Sequence, residues 1–285
     1  MKRREFIRTA LATGAAAWLP VGASEDSAFQ LVDSNVSLFD WPFRKLPLDE
    51  TSVLMEKLRS LGVGQAFAGS YEGLFHRDLP AVNHRLAKES TGVPELLPIG
   101  SVNPDLPAWR EVLRSCAEDH EMRGIRLHPN YHGYTLDDPR FRELLERAAE
   151  IGLFVQLAAT MEDRRTQNSI AAVPDVDLTP LPTVVAAVPG VRVQVLNWRP
   201  RMAELESMKD VSGIHFDTAR VDGTDGIEQL QKVVSPDRVL FGSGAHFLIP
   251  EASLIRLMHE SGLEEEILEK IAQTNSVRLR GGNPA

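Results

Sequence analysis

The stretch from Gly124 to Ala159 sets the terms for this chain. Gly124–Leu127 is a short apolar run interrupted only by Arg126, and after His128-Pro129 it gives way to the polar and aromatic segment Asn130-Tyr131-His132-Gly133-Tyr134. A buried strand that ends in this way delivers side chains to a site at its C-terminal end. Pro139 to Ile151 then has helical spacing, with Phe141, Leu144, Leu145, Ala148 and Ile151 on one face, and Leu153 to Ala159 is a second apolar run. Strand, loaded loop, helix and strand make a βαβ unit, whose functional groups belong where the first strand ends.

The same alternation runs through the chain on both sides. Strands are expected over Leu31–Ser37, Gly64–Ala68, Leu96–Val102, Val191–Leu196, Ile214–Phe216 and Val239–Phe241, with helices between them. In the helix Thr51–Leu61, Val53, Leu54, Leu58 and Leu61 have core spacing, and Gly62 stops it. Roughly eight strands in about 250 residues predict a single-domain α/β protein, a (β/α)8 TIM barrel over residues 24–285. An open doubly wound sheet fits less well, because no glycine-rich phosphate loop follows the first strand.

The N-terminus carries a different kind of signal. Lys2-Arg3-Arg4-Glu5-Phe6-Ile7-Arg8 has the twin-arginine export pattern, followed by a mildly apolar run from Thr9 to Leu19 and the small residues Val21-Gly22-Ala23. Residues 1–23 therefore read as a signal peptide, and a periplasmic or extracellular location follows. The apolar run is too short for a membrane span, and no cysteine stands at the cleavage point to take a lipid. A net charge of −9 argues against a nucleic-acid or anionic-membrane partner. Cys116 is the only cysteine, so a cysteine-based zinc site is excluded and a buried structural thiol is the natural reading. Homo-oligomerisation is left open.

In a barrel the strand C-termini face one mouth. They would bring together Asn35 and Ser37, Ser70, Asn103, Arg126 with His128, Gln156, Asn197, Asp217, and Ser243 with His246. The set is polar and varied, as a small-molecule pocket requires.

Several of these fragments resemble the amidohydrolase-related family. Val32-Asp33 followed by Asp40-Trp41-Pro42-Phe43-Arg44 is one, and Gly124-Ile125-Arg126-Leu127-His128-Pro129 is another. Leu240-Phe241-Gly242-Ser243 and the late Asn275 with Arg278-Leu279 complete the pattern from Leu31 to Leu279. The resemblance implies a TIM barrel that hydrolyses small esters, lactones or amides, or decarboxylates small acids, commonly with one divalent metal. It also implies imidazole ligands at the end of the first strand, where Asn35-Val36-Ser37 stands. Further histidines are implied at Gln156 and Asn197, and an aspartate at Gly244. Amides and hydroxyls replace imidazoles poorly in a transition-metal site. No metal residue is carried over, and no cofactor is expected.

Among the remaining groups, Arg126 has the geometry to grip a substrate carboxylate and His128 to donate to it or act as acid/base, since residues two apart on a strand share a side. The bland alternative is a buried structural arginine and a loop-capping histidine. Asp217 is the most natural general base left at the mouth, with a structural pairing to Arg220 or Arg199 as the alternative. His215 either shares its side or faces the helical layer. His246 could fill the space vacated at Gly244 or simply pack beside Phe247. His132, Tyr134 and Trp41 line the pocket or cover loops, and an Asp40–Arg44 pair would fix the first loop.

The expected function is an exported hydrolase acting on a small carboxylated ester, lactone or amide at a degenerate or absent metal site. Catalysis would fall to His128, Asp217 and His246. Substrate binding would fall to Arg126, Asn35, Gln156, Asn197, His132, Tyr134 and Trp41. Two alternatives stand beside it: an inactive barrel that binds a small organic acid, and a supporting subunit of an active homologue.

Overall fold

The computed structural model describes residues 30–282. The signal-peptide reading of residues 1–23 falls outside them. Eight parallel strands follow one another around a single sheet in sequence order. They are β1 (Leu31–Leu38), β2 (Val63–Ser70), β3 (Leu96–Ser101), β4 (Gly124–Leu127), β5 (Phe154–Ala158), β6 (Val193–Leu196), β7 (Ile214–Asp217) and β8 (Val239–Leu240). The last strand returns to the first. Phe241 accepts from Ser34 N–H at 2.8 Å, Ala245 accepts from Ser37 N–H at 2.8 Å, and Gly244 N–H donates to Asn35 at 3.0 Å. The chain is a (β/α)8 barrel, and these bonds close it.

Local chemistry explains the elements. The strands are buried from both sides, by the barrel interior and by the helical ring, so their sequences read as apolar runs with few breaks. The helix Pro139–Glu150 begins with Asp138 accepting from Arg140 N–H at 2.8 Å, and Leu79–Thr91 begins with Asp78 accepting from Ala81 N–H at 3.1 Å. Two positions correct the expected faces. Ile151 lies just past the helix end and is 41% exposed, while Val53 is 45% exposed and Met55 takes the core position beside Leu54. Cys116 is fully buried and unpaired, and burial pushes its thiol up to about 12.

The barrel interior is layered. Its floor is apolar, with Val32, Phe67, Ile99, Phe154 and Leu240 packed against Leu279 from the last helix. Above that floor the interior turns polar. A bulge in β1 makes this possible: Asp33 pairs with Ala66 and Val36 with Ala68, so one extra β1 residue is accommodated. The consecutive residues Ser34 and Asn35 then both make contacts inside the barrel, which strict alternation would forbid.

Candidate functional site

Arg126 is the centre of the polar layer. It is 2% exposed, and its guanidinium donates from Nε to Gln156 Oε1 at 2.9 Å and from one Nη to Ser37 Oγ and the Val36 carbonyl, both at 3.0 Å. The second Nη points to the Phe67 carbonyl at 3.5 Å. Gln156 passes the network on, donating to the Ser34 carbonyl at 2.7 Å and to Gln194 Oε1 at 2.9 Å. Gln194 in turn donates to Ser34 Oγ at 2.7 Å. Gly69 leaves room for the guanidinium: a Cβ there would stand 2.7 Å from Arg126 Nη1. Gly69→Ala is therefore expected to lower stability by about 1–3 kcal/mol, the usual cost of overpacking a rigid core. A urea midpoint equal to the wild type's would show that the guanidinium has room to move.

A second cluster joins the first at β1. Asn35 Nδ2 donates to Asp217 Oδ2 at 2.5 Å and to Asn197 Oδ1 at 2.9 Å, and Asn197 N–H donates to Asp217 Oδ1 at 3.1 Å. Asp217 therefore makes no ion pair with Arg220 or Arg199. Burial pushes its carboxyl up to about 7, with its hydrogen bonds and Arg126 pulling the other way. Asp33, which accepts from Ser243 N–H at 2.9 Å, is pushed to about 6 by burial. Burial also pulls Arg126 down to about 10. Asn35, Arg126, Gln156, Asn197 and Asp217 are thus brought together, as the sequence suggested, but they spend their hydrogen bonds on one another.

The other expected residues lie apart from this network. His128 is buried with Nδ1 unpartnered, and burial, then His132, then Arg126 hold it well below the usual histidine range. His132 turns to the Gly73 carbonyl at 2.9 Å, and Tyr134 packs toward Phe141 with its hydroxyl unpartnered. His246 sits edge-on to Tyr71 with ring centroids 5.1 Å apart, and the carboxylates it feels are Asp49 and Asp40. Trp41 is buried in an aromatic roof, edge-on to Phe247 at 4.8 Å, Phe75 at 5.3 Å and Tyr71 at 5.4 Å. Arg44 pairs with Glu162 instead of Asp40. His215 shares the interior side of β7 with Asp217, opposite Gln194, and burial pulls it down to about 4.

Open space at this end of the barrel lies beyond β1 and β2, against Phe39, Asp40, Tyr71 and Glu72, and also beyond β5, β6 and β7, where the strand-end residue Asn197 reaches it. A cavity of about 210 Å³ is lined by Thr160, Glu162, Asn197, Trp198, Arg199 and Arg220, among others. Asn197 is the one strand-end candidate that reaches it. Arg220 is 5% exposed, donates one Nη to the Met161 carbonyl at 2.8 Å, and has a buried Nε with no partner. Burial pulls its guanidinium below the ordinary value. Trp198 is fixed by Nε1 donating to Glu204 at 2.9 Å. In the sequence Arg220 stood out only as a partner for Asp217. The usable signal was its place in the loop just beyond β7, where barrel sites are built.

The amidohydrolase family profile matches residues 43–281. This chain belongs to the amidohydrolase family. Its barrel is similar to 5-carboxyvanillate decarboxylase from Sphingomonas paucimobilis, with a TM-score of 0.70 and 14% identity over 89% of this chain and 99% of that one. It is also similar to the Novosphingobium aromaticivorans enzyme of that name, complexed with manganese and 4-hydroxy-3-methoxy-5-nitrobenzoic acid, at 0.70 and 12% identity over 92% and 98%. The 2,6-dihydroxybenzoate decarboxylase from Rhizobium aligns at 0.63 and 14% over 87% and 99%. At such identities the likeness establishes the fold. No curated protein matches the chain significantly.

The residues at the positions where the family resemblance implies imidazole ligands are amides and a hydroxyl, which fit a divalent transition metal poorly. Ser37 and Gln156 stand at expected ligand positions, and both accept hydrogen bonds from a guanidinium. Among the described residues no group of three or more His, Cys, Asp or Glu is arranged to hold a metal. No helix among them is long and apolar enough to cross a membrane.

Proposed function

We propose that this family member binds a small organic acid, a flat aromatic carboxylate by preference, in the cavity between the ends of β5, β6 and β7. The observation that carries the reading is Arg220. A guanidinium buried to this degree, with an unpartnered Nε at the edge of a cavity, is a costly group unless an acceptor comes to it. Carboxylates fit that fork in a bidentate geometry. Arg164, Arg165, Arg199, Arg201 and Arg220 line the cavity with Glu162, Asp163, Asp175 and Glu204; Arg165 and Arg199 pair with Asp163, Arg201 with Glu204 and Glu162 with Arg44, while Arg220 has no carboxylate partner among the described residues. Trp198 offers an aromatic wall and Asn197 an amide. At about 210 Å³ the space lies below the range of drug-sized pockets and suits a smaller ligand. The aromatic preference draws on the named acids of the similar decarboxylases. The arginine pair at Arg3-Arg4 supports a site of action outside the cytoplasm.

Titration calorimetry with benzoate and hydroxybenzoates tests this reading. Arg220→Met is expected to weaken binding at least tenfold, the equivalent of about 1.4 kcal/mol, while the fold, read by circular dichroism, is kept. Unchanged affinity in that variant would sink the assignment.

A second reading is turnover: hydrolysis of a carboxylated ester, lactone or amide, with Asp217 as the base. It is favoured by the carboxyl being held near neutrality at about 7, directly behind Asn197. Product formation from a panel of such compounds that disappears in Asp217→Asn, with affinity retained, would establish it. The absence of product across the panel would leave binding as the function.

A further inference from the structure

We infer that the Arg126 guanidinium is the permanent cation of this barrel, occupying the space between Ser37 and Gln156 in place of a divalent ion, and that the protein works without a metal. The inference does not depend on what binds at Arg220. It rests on geometry contributed by four strands. From β1, Ser37 Oγ and the Val36 carbonyl accept from one Nη at 3.0 Å, and from β5, Gln156 Oε1 accepts from Nε at 2.9 Å. From β2, Gly69 contributes the absence of a side chain, since a Cβ would meet the guanidinium at 2.7 Å. Arg126 itself comes from β4. These acceptors are neutral oxygens set around a planar cation. They suit a guanidinium and would hold a transition metal poorly.

The charge arrangement agrees with this assignment. Asp33 and Asp217 are both fully buried carboxyls, and Arg126 is the cation that acts on each of them. In a metal-dependent site a divalent ion would balance such carboxyls. Here the cation that acts on them is covalently attached, and chelators or metal depletion cannot remove it. Gln194 and Ser34 complete the cradle by fixing the Gln156 amide, so that its oxygen faces the guanidinium and its nitrogen faces away.

The test measures metal affinity with and without the guanidinium. The full chain, purified without chelator, is dialysed against zinc chloride or manganese chloride and assayed for retained metal and melting temperature. The wild type is expected to retain no stoichiometric metal and to melt at an unchanged temperature. One equivalent retained, or a rise of several degrees on adding either ion, would overturn the inference. A pair of variants then isolates Arg126. Ser37→His with Gln156→His, made with Arg126 in place, is expected to stay insensitive to zinc. The same two changes combined with Arg126→Met are expected to gain a zinc-dependent rise in melting temperature, because the space is then open and supplied with imidazoles. Equal zinc responses in the two proteins would show that the guanidinium does not hold that space. If the Arg126→Met combination fails to fold, the double-histidine protein decides alone. Zinc binding with Arg126 present overturns the inference, and no binding upholds it.

Discussion

Arg126→Met is expected to destabilise the barrel by about 3–5 kcal/mol, since three buried acceptors lose their donor at about 1–3 kcal/mol each. Methionine fills much of the volume but returns no donors. Gln156 Oε1, Ser37 Oγ and the Val36 carbonyl would each lose a hydrogen bond inside the barrel. Asp33 and Asp217 would also lose their common cation. Set against a typical domain stability of about 5–15 kcal/mol, the loss would be a large fraction of the whole. It should appear as a lower urea midpoint with an unchanged slope, since the unfolded surface is the same. Arg126→Lys should fall between, because an ammonium keeps the charge but cannot reach acceptors on two strands with a planar fork. A loss below about 1 kcal/mol in the methionine variant would mean that the network rearranges freely around the gap.

This network also shows where sequence reading stops. The barrel was legible because a parallel strand buried on both faces and an amphipathic helix have different periods, and the chain alternates between them. The family could be read from fragments such as Gly124–Pro129, and the departures at Asn35, Ser37 and Gln156 could be read from the same alignment of motifs. What the departures build could not. Arg126, Gln156 and Asn197 were all picked out as groups that face a ligand, yet Arg126 and Gln156 spend their hydrogen bonds within the barrel, and only Asn197, which accepts from Asn35, also reaches the cavity. Two facts that decide this leave little trace in one sequence. One is the missing side chain at Gly69, which matters only because a guanidinium from another strand fills the space. The other is the bulge in β1, which aims Ser34 and Asn35 inward against the two-residue period. His246 and Trp41 could be read either as pocket groups or as loop packing for a related reason. Loop residues after a strand can turn to the pocket or to each other, and here they stack with Tyr71 and Phe247.

Asp217→Asn is expected to change how stability depends on pH. Burial holds the Asp217 carboxyl at about 7 in the folded barrel, against an ordinary value of 3.8. Below the ordinary value the carboxyl is neutral in both states and its contribution is complete. As pH rises, the unfolded chain ionises first, so stability is lost progressively up to about 7 and no further above it. Asp33, at about 6, acts in the same direction. His215 and His246, each pulled to about 4, and His128, also pulled down, act in the opposite one: they lose stability as pH falls below the histidine range. The wild-type profile is thus a sum of opposed slopes, and the difference between variant and wild type isolates Asp217. Asparagine cannot ionise, and coupled turns of the Asn35 and Asn197 amides would let it keep both contacts. The stability of Asp217→Asn relative to wild type should therefore rise by about 2–4 kcal/mol between about pH 4.5 and pH 8.5, measured by urea denaturation at each pH. Parallel profiles would show that Asp217 titrates as it does in the unfolded chain. A difference that falls with pH would mean that the carboxylate is stabilised in its ionised form, with Arg126 outweighing burial.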